Sequence, residues 1–286
     1  FFFIYKLEMI RIAIQGTHGS YHDIAAHLLF QEEIELVCCK TFEDIFRTLN
    51  EEPDTLGLLA IENTIAGSLL HNNDLVKKSN TQIIKEQKLR ISHCFACLPD
   101  EDWADLKEVN SHPIALMQCR AFLNSQPQLK VVEGEDTALS AKKIQEEQLR
   151  GHAAICSESA ANRYGMKILQ RGIETNKHNF TRFLLVANPK QAQACKEKSK
   201  PNKTSLVFTL PHEEGSLSQV LSIFSFYHIN LTKIQSLPII GREWEYQFYV
   251  DVTYDDYTRY SQAISAIKPL ISELKILGEY VKFEAK

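Results

Sequence analysis

Short apolar runs that end in glycine-rich or polar turns, each followed by residues at helical spacing, alternate along the first two thirds of the chain. This alternation predicts an α/β architecture with mostly parallel sheets. Residues 10–15 (IRIAIQ) run into Gly16-Thr17-His18-Gly19-Ser20, after which Ile24, Ala25, Leu28 and Leu29 share a helical face. Thr41 opens a capping-box pattern with Asp44, and Phe42, Ile45, Phe46 and Leu49 form the face behind it. The pattern then predicts strands over 55–62, near 89–98 and before Ser111. It continues with a helix from Ser111 or Pro113 to about Leu123, a helix from Asp136 to Leu149 closed by Gly151, and a strand at HAAICS, residues 152–157.

From Ala187 to Thr204 the pattern breaks into a polar, basic stretch with two prolines, which reads as a linker. Beyond it the plan changes. A strand over 205–210 precedes a helix carrying Leu217, Val220, Leu221 and Phe224, then strands near 231–237 and 246–254. A second helix with Ile264, Ile267, Leu270, Ile271 and Leu274 on one face follows, and a strand near 276–282 closes the set. That is the βαββαβ order of a ferredoxin-like domain, so a domain boundary is expected near residue 200.

A length of 286 residues suits about two domains. With 44% hydrophobic and 24% charged residues the composition is that of an ordinary globular chain, which excludes fibrous, disordered and membrane classes. A net charge of −4 gives no footprint for nucleic acid. The apolar run of the opening Phe1–Glu8 stops at Lys6, too short for a signal core, and this segment is read as an extension outside the fold. Seven cysteines, an odd number without repeated spacing, point to a reducing cytoplasm. Cys94 and Cys97 form a CxxC inside a strand-like segment with no second ligand pair, so buried thiols are expected and no metal or cofactor.

Four polar clusters interrupt the apolar elements at their ends, where an α/β scaffold collects its site. Gly16–His22 is either a tight turn with a Ser20 cap or a set of N–H groups able to hold an anion. Glu62-Asn63-Thr64, with Ala66-Gly67-Ser68, is either a polar strand end or chemistry. In Ser111-His112-Pro113 with Gln118 and Cys119, a Cys–His nucleophile fails because seven residues of helix separate the two by about 10 Å. His178-Asn179-Phe180-Thr181-Arg182-Phe183 reads as a strand edge with a surface ion pair or as a carboxylate-binding site.

Together the clusters and the C-terminal plan resemble the prephenate dehydratase family: GTHGSY (16–21), AIENTIAGS (60–68) and SHPIALMQC (111–119) are similar to three of its ordered motifs, departing at Thr17, Ala60, Thr64 and Ile114, and NFTRF (179–183) has the fourth without change. The resemblance implies a catalytic domain over 9–190 with a type II periplasmic-binding-protein-like fold. Its lobes would be about 10–85 with 171–190, and 86–170, around one cleft. It also implies an ACT regulatory domain over 203–286. The implied reaction is the decarboxylating dehydration of prephenate to phenylpyruvate by a hydro-lyase of phenylalanine biosynthesis. Thr181, Arg182, Asn63 and Glu62 would be catalytic, with Thr181 against the leaving hydroxyl. Ser20, Tyr21, Thr64, Ser111, His112, Gln118, Asn179 and Phe183 would bind substrate. The family's effector, L-phenylalanine, would meet Gly215, Ser216 and Leu217 together with Gln235 and Ser236, where the family's ESRP loop is altered to Gln235-Ser236-Leu237-Pro238. A homodimer or homotetramer is expected. Arogenate dehydration and a non-catalytic amino-acid or keto-acid sensor are the alternatives, and the intact NFTRF argues against a sensor, which has no need of a proton donor.

Overall fold

The computed structural model describes residues 9–198, 200–239, 241–242 and 245–284, so Phe1–Glu8 and the last two residues of the expected C-terminal domain lie outside the described residues. The chain groups into two compact units: residues up to Leu69 with Gln87–Phe183, and Leu70–Glu86 with the residues from Leu184 onward.

The elements run β1 (Ile10–Gln15), α1 (Tyr21–Leu29), β2 (Ile34–Cys39), α2 (Phe42–Glu51), β3 (Leu56–Asn63), β4 (Gly67–Ser68), α3 (Leu70–Lys78) and β5 (Gln82–Arg90). Next come β6 (Cys94–Cys97), β7 (Glu108–Ser111), α4 (Pro113–Gln118), α5 (Arg120–Asn124), β8 (Lys130–Glu133), α6 (Thr137–Glu146), β9 (His152–Cys156), α7 (Glu158–Arg163) and β10 (Lys167–Arg171). The remainder is β11 (Phe180–Ala187), α8 (Pro189–Lys198), β12 (Lys203–Thr209), α9 (Ser216–Phe226), β13 (Asn230–Pro238), β14 (Tyr246–Thr253), α10 (Tyr257–Ile267) and β15 (Glu273–Tyr280). Strands β5 and β11 pass from one unit into the other.

The first sheet has the order β2-β1-β3-β11-β5 with β4 beside β3. Strands β1, β2 and β3 are parallel, and the middle of β1 (Ile12, Ala13, Ile14) is fully buried, as a central strand covered on both faces requires. The second sheet, β10-β6-β9-β7-β8, is mixed: β7 is parallel to β8 and β9, whereas β6 is antiparallel to β9 and β10. Its two faces follow the period of two. Phe95, Cys97, Ala153 and Ile155 join one core with Val109, Leu116 and Phe122, and Ala96, Ala154 and Cys156 join the other with Ala138, Ile144 and Ala160. The fold class is thus α/β, with mixed rather than mostly parallel sheets.

Several expected elements differ in detail. The single strand near 89–98 is two: β5 ends at Arg90 in the first sheet and β6 begins at Cys94 in the second. The helix to Leu123 breaks at Cys119, whose φ −98°, ψ 18° separates α4 from α5. In α1 the buried face is Asp23, Ala25, Ala26 and Leu29, while Leu28 is exposed. The expected linker holds α8: Pro189 sits in its first turn, Asn188 Oδ1 accepts from the N–H of Gln191 at 2.9 Å, and the residues that follow are good helix formers.

In the second unit β12-α9-β13-β14-α10-β15 forms an antiparallel sheet of order β13-β14-β12-β15 under two helices. Leu206, Phe208, Val220, Phe224, Val250, Tyr260 and Ile267 form its core. Pro269 ends α10 at Ile267, so Leu270, Ile271 and Leu274 leave the helix yet still pack on that core. The segment 70–86 belongs to the same unit: Glu86 pairs with Lys203 at 2.8 Å, both side chains buried, and Lys275 Nζ donates to the carbonyl of Ser79 at 3.0 Å.

Candidate active site

Strand β3 is apolar until Glu62 and Asn63, and Asn63 is fixed by its own loop. Its Oδ1 accepts the N–H groups of Ile65 (2.9 Å) and Ala66 (2.8 Å), an Asx turn that determines which end of the amide faces inward. Nδ2 therefore points away and donates to Asn179 Oδ1 at 2.8 Å and Thr181 Oγ1 at 3.0 Å. Gln118, carried in by α4, donates Nε2 to Asn63 Oδ1 (3.3 Å) and accepts at Oε1 from Asn179 Nδ2 (2.9 Å). Three buried amides from three separate segments thus form one network, and Asn63 carries it to the hydroxyl of buried Thr181.

The other expected residues divide between this wall and its supports. Tyr21 reaches in from α1, its hydroxyl 2.8 Å from His93 Nδ1 and 2.7 Å from the carbonyl of Ser92. Arg182, alternating with Thr181 along β11, is on the side of Glu62, whose carboxylate lies 3.9 Å from the guanidinium. Phe183 stands edge-on to His22 with ring centroids 5.0 Å apart.

Four of the residues expected to bind substrate make hydrogen bonds within the framework. Thr64 Oγ1 donates to the carbonyl of His178 (3.0 Å) and accepts the N–H of Phe180 (2.9 Å). The Ser111 hydroxyl, fully buried, donates to the carbonyl of Ile155 at 2.5 Å, so it ties β7 to β9. His112 caps α4 by accepting the N–H of Ile114 at 3.2 Å. Ser20 caps α1 by accepting from the N–H of Asp23 at 3.3 Å. Polar side chains at element ends do this work by default, and the motif alone does not separate it from ligand binding.

The turn at 16–20 is likewise engaged by the chain itself. The N–H of Gly16 goes to the carbonyl of Cys39 and that of Gly19 to the Asp23 carboxylate at 2.6 Å. Gly19 has φ +83°, and a Cβ there would lie 2.7 Å from Ala160 Cα, so α7 packs directly on the turn; Ser157 Oγ donates to the carbonyl of Gly19 at 2.6 Å. The expected anion-holding turn is therefore largely a packing junction, already occupied by the chain's own carboxylate.

Burial sets the titration of the surrounding groups. The His22 ring accepts the N–H of Ala60 at 3.3 Å, and desolvation brings its pKa down to about 4, so it stays neutral. Cys94 and Cys97, three apart on β6, point to opposite faces of the sheet and cannot share a ligand. Burial pushes both thiols up to about 11 and Cys119 up to about 12, which makes them inert core groups.

Sequence reasoning missed His93, Asp23 and Glu174. His93 sits inside an apolar stretch with no motif beside it, and Glu174 in a loop before the Asn179 motif. Glu174 is nonetheless buried, with Oε2 accepting the N–H of His93 at 3.0 Å, and Arg90 and Lys177 each 3.7 Å from Oε1. A lone charged residue among loop residues gives no periodic signal of burial.

Such a wall of amides and hydroxyls can bind a small polar molecule and place hydrogen bonds at its oxygens. The sequence profile of the prephenate dehydratase family matches residues 12–191. The chain belongs to that family, and its activity class is that of a carbon–oxygen hydro-lyase. It is 34% identical to the bifunctional chorismate mutase/prephenate dehydratase of Buchnera aphidicola, over 96% of this chain and 72% of that protein. It is equally identical to arogenate dehydratase/prephenate dehydratase 2 of Arabidopsis thaliana, over 95% and 72%. Among solved structures, the prephenate dehydratase of Arthrobacter aurescens in complex with L-Phe shares the fold at a TM-score of 0.83 and 24% identity, over 96% of this chain and 90% of that one. GqqA, described as a novel type of quorum quenching acylase, also superimposes at 0.83 with 26% identity, over 95% and 97%.

Proposed function

We propose that the wall around Thr181 catalyses the decarboxylating dehydration of prephenate to phenylpyruvate. The observation that carries this reading is the 3.0 Å bond from Asn63 Nδ2 to Thr181 Oγ1. With that N–H on one lone pair, the threonine hydroxyl directs its own hydrogen elsewhere, toward a departing oxygen. In the reaction the bond to the ring carboxylate breaks and releases CO2, its electron pair enters the ring, and the C–O bond opposite breaks as a proton reaches that oxygen. Water leaves, and one proton is taken up overall. A threonine hydroxyl is a poor acid, so Thr181 serves as hydrogen-bond donor and relay, and aromatisation supplies the drive. Arg182 supplies a guanidinium to a substrate carboxylate in exchange for its 3.9 Å contact with Glu62.

The first and second sheets correspond to the lobes of a type II binding-protein fold, and the βαββαβ segment corresponds to an ACT domain that senses L-phenylalanine. Ser216 and Leu217 line a cavity of about 80 Å³ with Pro211, Tyr246 and Phe248, and Ser236 is paired in register with Phe248. That volume is well below the roughly 300 Å³ at which ligand pockets begin, so an effector would need walls from a second copy, in line with a homodimer or homotetramer. The seven free cysteines support a cytoplasmic enzyme. Pure protein incubated separately with prephenate and arogenate tests the reading: phenylpyruvate from the first is expected, phenylalanine from the second alone would make it an arogenate dehydratase, and binding without turnover would make it a sensor.

A further inference from the structure

The amide orientations around Thr181 extend one step further, to a histidine outside every motif. Asn63 is fixed by two backbone N–H groups, so Asn179 must present Oδ1 to it and Nδ2 to Gln118. Gln118 must then turn Nε2 toward Asn63 and Oε1 toward Asn179. The same Oε1 lies 2.9 Å from His93 Nε2, and an oxygen acceptor there requires that nitrogen to carry a hydrogen. On the far side of the ring, Nδ1 faces the Tyr21 hydroxyl at 2.8 Å. His93 is 1% exposed, and desolvation lowers its pKa despite the Glu174 carboxylate beneath its backbone N–H, while burial holds Tyr21 protonated. A neutral ring has one hydrogen, which Nε2 holds, so Nδ1 is bare; the single Tyr21 hydrogen has the Ser92 carbonyl at 2.7 Å as well as Nδ1 within reach.

We propose that His93 is a positioning residue, a neutral ring whose Nε2–H locks Gln118 and through it Asn179, Asn63 and the direction of the Thr181 hydroxyl. This rests on the role given to Thr181 above. The ring transfers no proton. Its effect on turnover comes from geometry, since a tilted Gln118 amide releases Asn179 and lets Asn63 swing from Thr181 Oγ1. The charged or titratable groups facing the ring are Tyr21 from α1 and Glu174, with Arg90 and Lys177 behind the latter.

The test combines ¹⁵N NMR of histidine-labelled protein with steady-state kinetics on prephenate for His93→Leu and His93→Gln. The expected spectrum shows Nε2 protonated and Nδ1 bare across neutral pH. His93→Leu is expected to lower kcat on the order of tenfold to a hundredfold with KM nearly unchanged. His93→Gln, which can still offer an N–H to Gln118, should recover most of that loss. An Nδ1–H or imidazolium ring, a wild-type kcat in His93→Leu, a Gln variant no better than Leu, or a kcat–pH limb that vanishes with the histidine would each overturn the proposal. The NMR arm needs no substrate, so a wild-type enzyme inert on prephenate would count against the function while leaving the tautomer assignment separately measured.

Discussion

Asn63 and Thr181 illustrate how one backbone turn dictates chemistry on the neighbouring strand. Because Ile65 and Ala66 hold the Asn63 carbonyl, its amide nitrogen is turned toward β11, where Asn179 Oδ1, the carbonyl of Phe180 and Thr181 Oγ1 accept. Thr181→Val removes the hydroxyl at nearly constant volume, and Asn63 keeps its bond to Asn179. The variant should fold normally by circular dichroism and lose about 10²–10⁴ in kcat. Retention of more than about a tenth of the rate would move the proton donor elsewhere. His22 offers a different readout. Its folded pKa of about 4 lies below the ordinary 6.5, so the unfolded chain binds the extra proton first as pH falls. The stabilisation is complete above 6.5 and is lost progressively down to about 4. It amounts to at most about 3 kcal/mol, less for a half-buried ring. Denaturation midpoints at pH 7 and pH 5 should separate for the wild type by more than for His22→Gln, which keeps an acceptor for Ala60 but does not titrate. Equal separations would assign the acid sensitivity to other groups.

At the scale of elements, the turn before α1 carries a requirement that its motif letters conceal. Gly19 and Gly67 share φ +83°, but a Cβ at Gly67 meets nothing within 4 Å whereas at Gly19 it collides with the α7 backbone. Gly67→Ala therefore reports left-handed strain alone, about 1–2 kcal/mol, and Gly19→Ala should cost clearly more in a urea titration. Equal costs would mean that α7 yields without penalty. The elements most legible in the sequence were those closed by local chemistry: the Thr41–Asp44 capping box is present with both of its bonds, and Asp136 caps α6. The run through Ile91–His93 was not legible, since apolar periodicity says that a strand is buried and nothing about which sheet receives it. The α8 segment was obscured because its polar composition resembles a linker until Asn188 is seen as a cap. Among site residues, Asn63, Gln118, Asn179 and Thr181 carried their motif, but His93 could be found only by following hydrogen bonds inward.

At the scale of the whole molecule, a demanding contact lies in the second unit, where the Glu86 carboxylate and the Lys203 ammonium are both buried 2.8 Å apart and Glu86 also accepts the N–H of Phe283. Lys203→Met should destabilise by about 3–5 kcal/mol because the acid loses its counter-charge, while Lys203→Met combined with Glu86→Leu should recover most of that stability. A double variant as weak as the single one would show that shape, not charge, governs the contact. The distribution of thiols has a practical side. Cys39, Cys94, Cys97, Cys119 and Cys156 are sealed in the cores, and Cys38 and Cys195 are exposed. A maleimide dye added to the native protein would therefore find two handles, one on β2 and one on α8. Replacing either by serine would leave a singly addressable chain for fluorescence or spin-label distance work without touching a buried side chain.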